Sequence, residues 1–127
     1  MAASPLIAIV DDDESVRDAL TSLLHSVGWQ AEAFASAEAF LQSGHVHATA
    51  CLLLDVRLPG LSGLELQRQL RASQPRLPII FLTAHGTAAM RAQTLQAGAV
   101  AFFTKPFSDT ALLEAIHTAL APDPGSP

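Results

Sequence analysis

Five short apolar runs divide this chain at nearly even spacing, and that rhythm restricts its fold more than any other feature. Four are strong: Leu6–Val10, Ala50–Leu54, Ile79–Leu82 and Val100–Phe103. A weaker fifth lies at Ala31–Phe34. Runs this short, without polar alternation, suit strands buried on both faces of a parallel sheet. Between them, apolar residues recur at helical spacing. In ESVRDALTSLLHSVG, residues Val16, Ala19, Leu20, Leu23, Leu24 and Val27 line one face of a helix that Gly28 stops. Ser36 caps a short helix through SAEAFL. A third helix opens after Ser62-Gly63, carries Leu64, Leu66 and Leu70, and closes before Pro75. A fourth covers Ala88–Ala97 and ends at Gly98; a fifth starts at Ser108-Asp109 and runs through Leu112, Leu113 and Ile116 to Leu120. Strict strand–helix alternation with short links predicts an α/β fold. It is a doubly wound (βα)5 domain with a five-stranded parallel sheet, right-handed crossovers and helices on both faces.

The bulk properties agree with one buried core. The chain has 127 residues, half of them hydrophobic and 15% charged, which excludes a disordered chain. A net charge of −5 argues against a nucleic-acid surface in this segment, because phosphate binding needs clustered Lys and Arg. The single cysteine, Cys51, lies inside an apolar run, so no disulfide framework is expected and a reducing compartment is. No apolar stretch approaches the roughly 20 residues that span a bilayer, and MAASPLIAIVDDD lacks the basic start of a signal peptide. The expectation is a cytoplasmic domain without membrane contact. The domain is expected over residues 1–121, with 122–127, Pro-Asp-Pro-Gly-Ser-Pro, as either a linker to a further domain or a frayed end.

In an open parallel α/β sheet, ligands bind beyond the carboxyl ends of the strands. The first strand delivers Asp11 and Asp12 there, the third Asp55, the fourth Thr83, and the fifth Lys105 followed by Pro106. Singly, each has a plain explanation: a strand-end Asp is usually a helix cap, a Thr a turn hydroxyl, a Lys a solvated charge. Jointly, three acids, a hydroxyl and an ammonium at one sheet edge describe a site. Clustered carboxylates repel unless a cation joins them, and a hard oxygen site suits Mg²⁺, with Mn²⁺ as a substitute. Asp55, ending a wholly apolar strand, is a candidate nucleophile for an aspartyl-phosphate. Thr83 and Lys105 could serve its phosphoryl oxygens. Asp13 and Glu14 instead suit the positive end of the first helix.

The segments IVDDDESVR, LLLDVRLPGLSGLEL, IIFLTAHG and AGAVAFFTKPF resemble the response-regulator receiver domain of two-component signalling, from about Leu6 to Leu120. SAEAFL, the AHG turn and AGAVAFFTKPF are similar to the FixJ subfamily, whose receivers usually precede a LuxR-type helix-turn-helix. The resemblance implies a CheY-like, flavodoxin-like sheet of strand order 2-1-3-4-5. It also implies phosphorylation at Asp55 by a sensor histidine kinase. It makes Asp12 a direct Mg²⁺ ligand, Asp11 a ligand through water, and the Arg57 carbonyl a further ligand. Thr83 and Lys105 would hold the phosphoryl oxygens, the Lys105–Pro106 peptide would be cis, and Thr83 with Phe102 would form the switch. Ala84, His85 and Pro106 would border the site, although His85 also fits a solvated loop. Phe102 has no hydroxyl, so its switch would act by packing. Thr87 replaces an Asp common in FixJ-like chains, and Ala101 replaces a usual polar residue. The implied protein is a phosphoacceptor rather than an enzyme with turnover. Its phosphorylation would remodel the surface of the fourth helix, fifth strand and fifth helix, with a homodimer through the fourth helix and fifth strand. The implied outcome is transcriptional control through a DNA-binding domain outside this chain. The alternative is a stand-alone receiver acting in a phosphorelay or by protein–protein contact.

Two rivals share parts of this pattern. A haloacid-dehalogenase-like phosphatase would need a second acid two residues after its nucleophile, where this chain has Arg57. A flavodoxin-like FMN binder would need a Ser/Thr/Gly-rich phosphate loop after the first strand, where this chain has Asp11-Asp12-Asp13. A degenerate receiver would lack the acid, Thr and Lys set. His45-Val46-His47 has no third metal ligand in sequence and is expected in a polar loop. Trp29, Cys51 and Met90 are expected to be packing residues.

Overall fold

The structure, a computed structural model, describes residues 4–121. The tail 122–127, the expected linker, lies outside the described residues. Strands β1 (Leu6–Val10), β2 (Gln30–Phe34), β3 (Thr49–Leu54), β4 (Ile79–Thr83) and β5 (Ala101–Thr104) alternate with helices. These are α1 (Glu14–Ser26), α2 (Ala37–Gln42), α3 (Gly63–Ser73), α4 (Ala88–Gln96) and α5 (Asp109–Leu120). The strands form one parallel sheet in the order β2-β1-β3-β4-β5, as expected. Val10 pairs with Phe34 and Leu54, and Thr83 with Thr104, so the strands' carboxyl ends lie together.

The period-two geometry of a strand sends successive side chains to opposite faces. Ala8, Val10, Leu52, Leu54, Ile79, Phe81 and Phe102 join Ala37 and Phe40 of α2 and Leu66 and Leu70 of α3 on one face. Ile7, Ile9, Cys51, Leu53, Ile80 and Leu82 meet Leu20 and Leu24 of α1 and Leu112 and Ile116 of α5 on the other. This two-sided burial is why the runs show no polar alternation. Among the described residues, no helix is long and apolar enough to cross a membrane.

Helix α4 is attached differently. Its fully buried residue is polar Thr94, whose carbonyl accepts from buried Gln67 Nε2 of α3 at 3.0 Å. Arg91 Nη1 donates to the Phe102 carbonyl of β5 at 3.1 Å. Met90 and Leu95 add partly buried apolar contacts. The expected strand Val100–Phe103 is shifted by one residue: Val100 lies before β5 and is 51% exposed, although its N–H still bonds to Ile79 O at 2.9 Å. The stripe on α1 is narrower than its spacing implies, since Ala19 is exposed and Val27, the C-cap, is 46% exposed.

Helix starts follow the sequence signals. Asp13, Ser36, Ser62, Thr87 and Ser108 each accept a backbone N–H as N-cap, and Ser62 with Glu65 forms a capping box. Gly63, directly after that cap, has no room for a side chain, because a Cβ there would run into the Asp55 carbonyl oxygen and the Val56 backbone. Glycine to alanine in a helix normally stabilises by about 1 kcal/mol. Here overpacking against backbone, about 1–3 kcal/mol, outweighs that gain. Gly63→Ala is therefore expected to lower the unfolding free energy measured in urea; a rise would contradict the close approach of α3 to the end of β3.

Candidate functional site

The sheet's hydrogen-bond ladder continues past three strand ends. Asp11 N donates to Phe34 O at 3.1 Å, Asp55 N to Val10 O at 3.0 Å, and Lys105 N to Thr83 O at 2.8 Å. These bonds fix the backbones from which the candidate side chains leave. Asp11, Asp55 and Thr83 are buried, with Asp55 only 7% exposed, whereas Asp12 is exposed.

Lys105 Nζ bridges two of the acids, at 2.7 Å from Asp11 Oδ2 and 3.4 Å from Asp55 Oδ2. The other oxygens are also engaged. Asp11 Oδ1 accepts from Asp13 N at 2.9 Å and Asp55 Oδ1 from Arg57 N at 3.0 Å. One carboxylate oxygen from each of Asp11, Asp12 and Asp55 lies within 4.8 Å of the others. Two unit charges at that separation repel by about 3 kcal/mol at an effective dielectric constant near 20. Three ionised carboxylates against one ammonium leave a formal charge of about −2, which a divalent cation would balance. The donors are all hard oxygens from three side chains, and Asp12 faces solvent, which fits a cation that keeps several waters.

Burial pushes the Asp55 carboxyl above its ordinary value of 3.8; the Arg57 N–H and the Lys105 charge pull it back, and the Asp11 charge adds to the rise. For Lys105, burial acts downward, but the hydrogen bond and charge of Asp11 and the charge of Asp55 outweigh it and hold the ammonium above 10.5. Asp13 is held low by the Ser15 hydroxyl and N–H, as befits a cap rather than a ligand.

The remaining candidates take distinct places. Lys105–Pro106 is a cis peptide. Ala84 and His85 form an exposed turn after β4, and the Arg57 and Pro106 side chains are exposed beside the strand ends. Phe102 belongs to the α2–α4 face, 6% exposed, with its ring 6.4 Å from that of Phe81. Gly86 of the β4–α4 loop lies over that ring: a Cβ there would be 2.9 Å from it. His45 pairs with Glu32 at 3.0 Å and His47 with Gln74 at 2.7 Å, so the two histidines have separate polar partners. Cys51 is buried, its thiol pushed up to about 12 by burial, and Trp29 and Met90 pack against the core. Sequence reasoning missed Arg17, whose Nη1 donates to the Asp11 carbonyl at 2.9 Å and ties α1 to the acidic loop. An arginine on a helix's polar side carries no sequence signal that separates this role from solvation.

Residues 7–117 match the response regulator receiver domain. The response regulator protein TodT of Pseudomonas putida is 49% identical over 115 residues, covering 91% of this chain and 51% of that protein. The transcriptional regulatory protein FixJ of Azorhizobium caulinodans is 38% identical over 120 residues, covering 94% of this chain and 57% of that protein. The chain thus spans about half the length of these relatives. The crystal structure of FixJ-N superposes with a TM-score of 0.81 at 38% identity, over 94% of this chain and 95% of that one. With its β2-β1-β3-β4-β5 sheet and an acidic cluster joined by a lysine at the strand ends, the chain belongs to the response regulator receiver domain family.

Proposed function

We propose that this chain is a phosphorylation-controlled switch of a two-component pathway in the cytoplasm, with Asp55 as phosphoacceptor and a sensor histidine kinase as donor. The observation that carries this reading is Lys105 Nζ lying between Asp11 and Asp55, within a group of three carboxylates. Asp11, Asp12, Asp55 and the Arg57 carbonyl would hold Mg²⁺, or Mn²⁺ in its place, which when bound neutralises charge on the transferring phosphoryl group. An Asp55 carboxylate oxygen bonds to phosphorus as the bond from phosphorus to the donor's imidazole nitrogen breaks; the electron pair leaves with the imidazole. Asp55 must be ionised to attack; burial works against that form, and the Arg57 N–H and the Lys105 charge favour it. After transfer the negative charge sits farther out, on the phosphoryl oxygens. Lys105 follows it, and the Thr83 hydroxyl donates to it from the end of β4.

An apolar groove of about 350 Å³, lined by Val16, Ala19, Leu23, Pro106 and Phe107, opens beside Lys105. It offers the donor protein a docking face next to the acceptor, and it accounts for the exposed Ala19.

The switch is read out through α4, β5 and α5. Phe102 is already inside, under Gly86, so movement of Thr83 and the β4–α4 loop alters packing on a buried ring. Helix α4, held by the Gln67–Thr94 and Arg91–Phe102 hydrogen bonds, can adopt a second position with little loss of apolar burial. Its exposed Ala88 and Ala89 suit a homodimer through α4 and β5. Relatives described as transcriptional regulatory proteins, each longer than this chain, support a transcriptional output, which we read as a DNA-binding domain of the LuxR type outside this chain.

With acetyl phosphate and Mg²⁺, intact-mass spectrometry is expected to show one added phosphoryl group, absent in Asp55→Asn and slowed at least about tenfold in Lys105→Ala. No gain in the parent would overturn the reading. Beryllofluoride with Mg²⁺ is expected to raise the sedimentation-velocity mass toward a dimer; an unchanged mass would remove dimerisation from the mechanism. The acceptor also bears on stability. Because the Asp55 carboxyl titrates above 3.8 when folded, its ionised form opposes folding at neutral pH, and that opposition fades as pH falls through the raised value. Asp55→Asn is therefore expected to raise Tm at pH 7 by roughly 2–5 °C and to lose that advantage below pH 3.8. An advantage of equal size at pH 3 would sink the electrostatic explanation.

A further inference from the structure

Glu38 contributes no group to the acidic cluster, yet it touches the loop on which that cluster depends. Helix α2 is seated by Ala37 and Phe40, both fully buried, and carries Glu38 outward in its first turn. From there Oε2 accepts the backbone N–H of Leu61 at 2.9 Å, across a sequence separation of 23 residues. The donor belongs to the β3–α3 loop, residues 55–62, which begins with Asp55 and contains Arg57. One end of the loop is fixed by Asp55 N to Val10 O and by Arg57 N to Asp55 Oδ1. The other end is fixed by the Ser62 cap and by Gly63 N, which donates to Val56 O at 3.0 Å. Glu38 supplies the tie at its tip.

The turn that presents Leu61 is shaped to receive this contact. Gly60 has a φ of +74°, a conformation L side chains rarely adopt, and a Cβ there would sit 2.5 Å from Glu38 Oε2. The turn thus needs glycine for its backbone conformation, and that glycine leaves the Glu38 carboxylate room directly against the loop. The Leu61 N–H also holds the Glu38 carboxyl below its ordinary value, so the acceptor is ionised at neutral pH.

We propose that Glu38 is a positioning residue for phosphoryl transfer at Asp55. From a helix with no chemical role, it sets the β3–α3 loop so that the Arg57 carbonyl and the Asp55 carboxylate face one cation. The inference rests on the function proposed above. Partners that orient metal ligands typically change metal affinity by about 10–100-fold when removed; one peripheral hydrogen bond belongs near the lower end.

The test uses Mg²⁺ titration calorimetry, acetyl phosphate labelling followed by intact mass, and thermal unfolding on the parent, Glu38→Ala, Glu38→Gln and Glu38→Asp. Glutamine keeps an acceptor at the same reach, whereas aspartate keeps the charge but falls one methylene short. Weaker Mg²⁺ binding by about tenfold and slower labelling are expected in Glu38→Ala and Glu38→Asp, with Glu38→Gln within about twofold of the parent. If Glu38→Ala does not fold, the Asp and Gln variants decide alone. Parent-like Mg²⁺ affinity in Glu38→Asp, or an equal loss in Glu38→Gln, would overturn the proposal while leaving Asp55 as the acceptor. A parent that neither binds Mg²⁺ nor takes label would instead overturn the function on which it rests.

Discussion

The ammonium of Lys105, set between Asp11 and Asp55, is the interaction on which the rest of this structure depends. Two carboxylates at the ends of adjacent buried strands are a liability: burial disfavours each charge and proximity sets them against each other. Lysine offsets part of that cost and leaves the remainder for a cation. Burial, charge and metal preference are therefore one problem. The same burial that makes Asp55 costly to keep ionised holds its charged form beside the Lys105 ammonium.

The fold serves this balance by extending regularity as far as the site. Ladder bonds from Val10, Phe34 and Thr83 carry sheet geometry into the first residue beyond each strand, so the acids and the lysine inherit their spacing from β-sheet pitch. Beyond that point, short polar ties take over. Arg17 holds the Asp11 carbonyl, Arg57 N holds Asp55, and Glu38 holds Leu61 N. The contrast with α4 is physical. The strand ends that carry the site are backed by apolar packing on both sheet faces, whereas α4 is hung from the rest by the Gln67–Thr94 and Arg91–Phe102 hydrogen bonds.

Most of the architecture was legible in the residues. β1 is Leu6–Val10 as read, the second helix starts after its expected cap Ser36, and the fourth starts at Ala88 as read. The errors have reasons. Val100 is apolar and keeps a ladder bond to Ile79, yet it stands outside β5 on the surface, because apolar identity reports preference for burial and not where pairing begins. Ala19 and Val27 keep helical spacing but overrun the strip of α1 that the sheet can cover. Periodicity also does not encode that the Phe102 ring lies beside Phe81 and beneath Gly86, residues distant from it in the chain.

By itself, then, the sequence determined the alternation of buried strands and amphipathic helices, the caps, and which chemical groups stand at the strand ends. Those are local properties: the period of apolar residues and the residue type at each boundary suffice for them. Only the tertiary structure decided that Lys105 reaches both Asp11 and Asp55, that Arg17 and Glu38 tie down the two loops carrying the acids, and that α4 is fastened by polar bonds. Each of those depends on distances of a few ångströms between groups far apart in the chain, and such distances are set by packing.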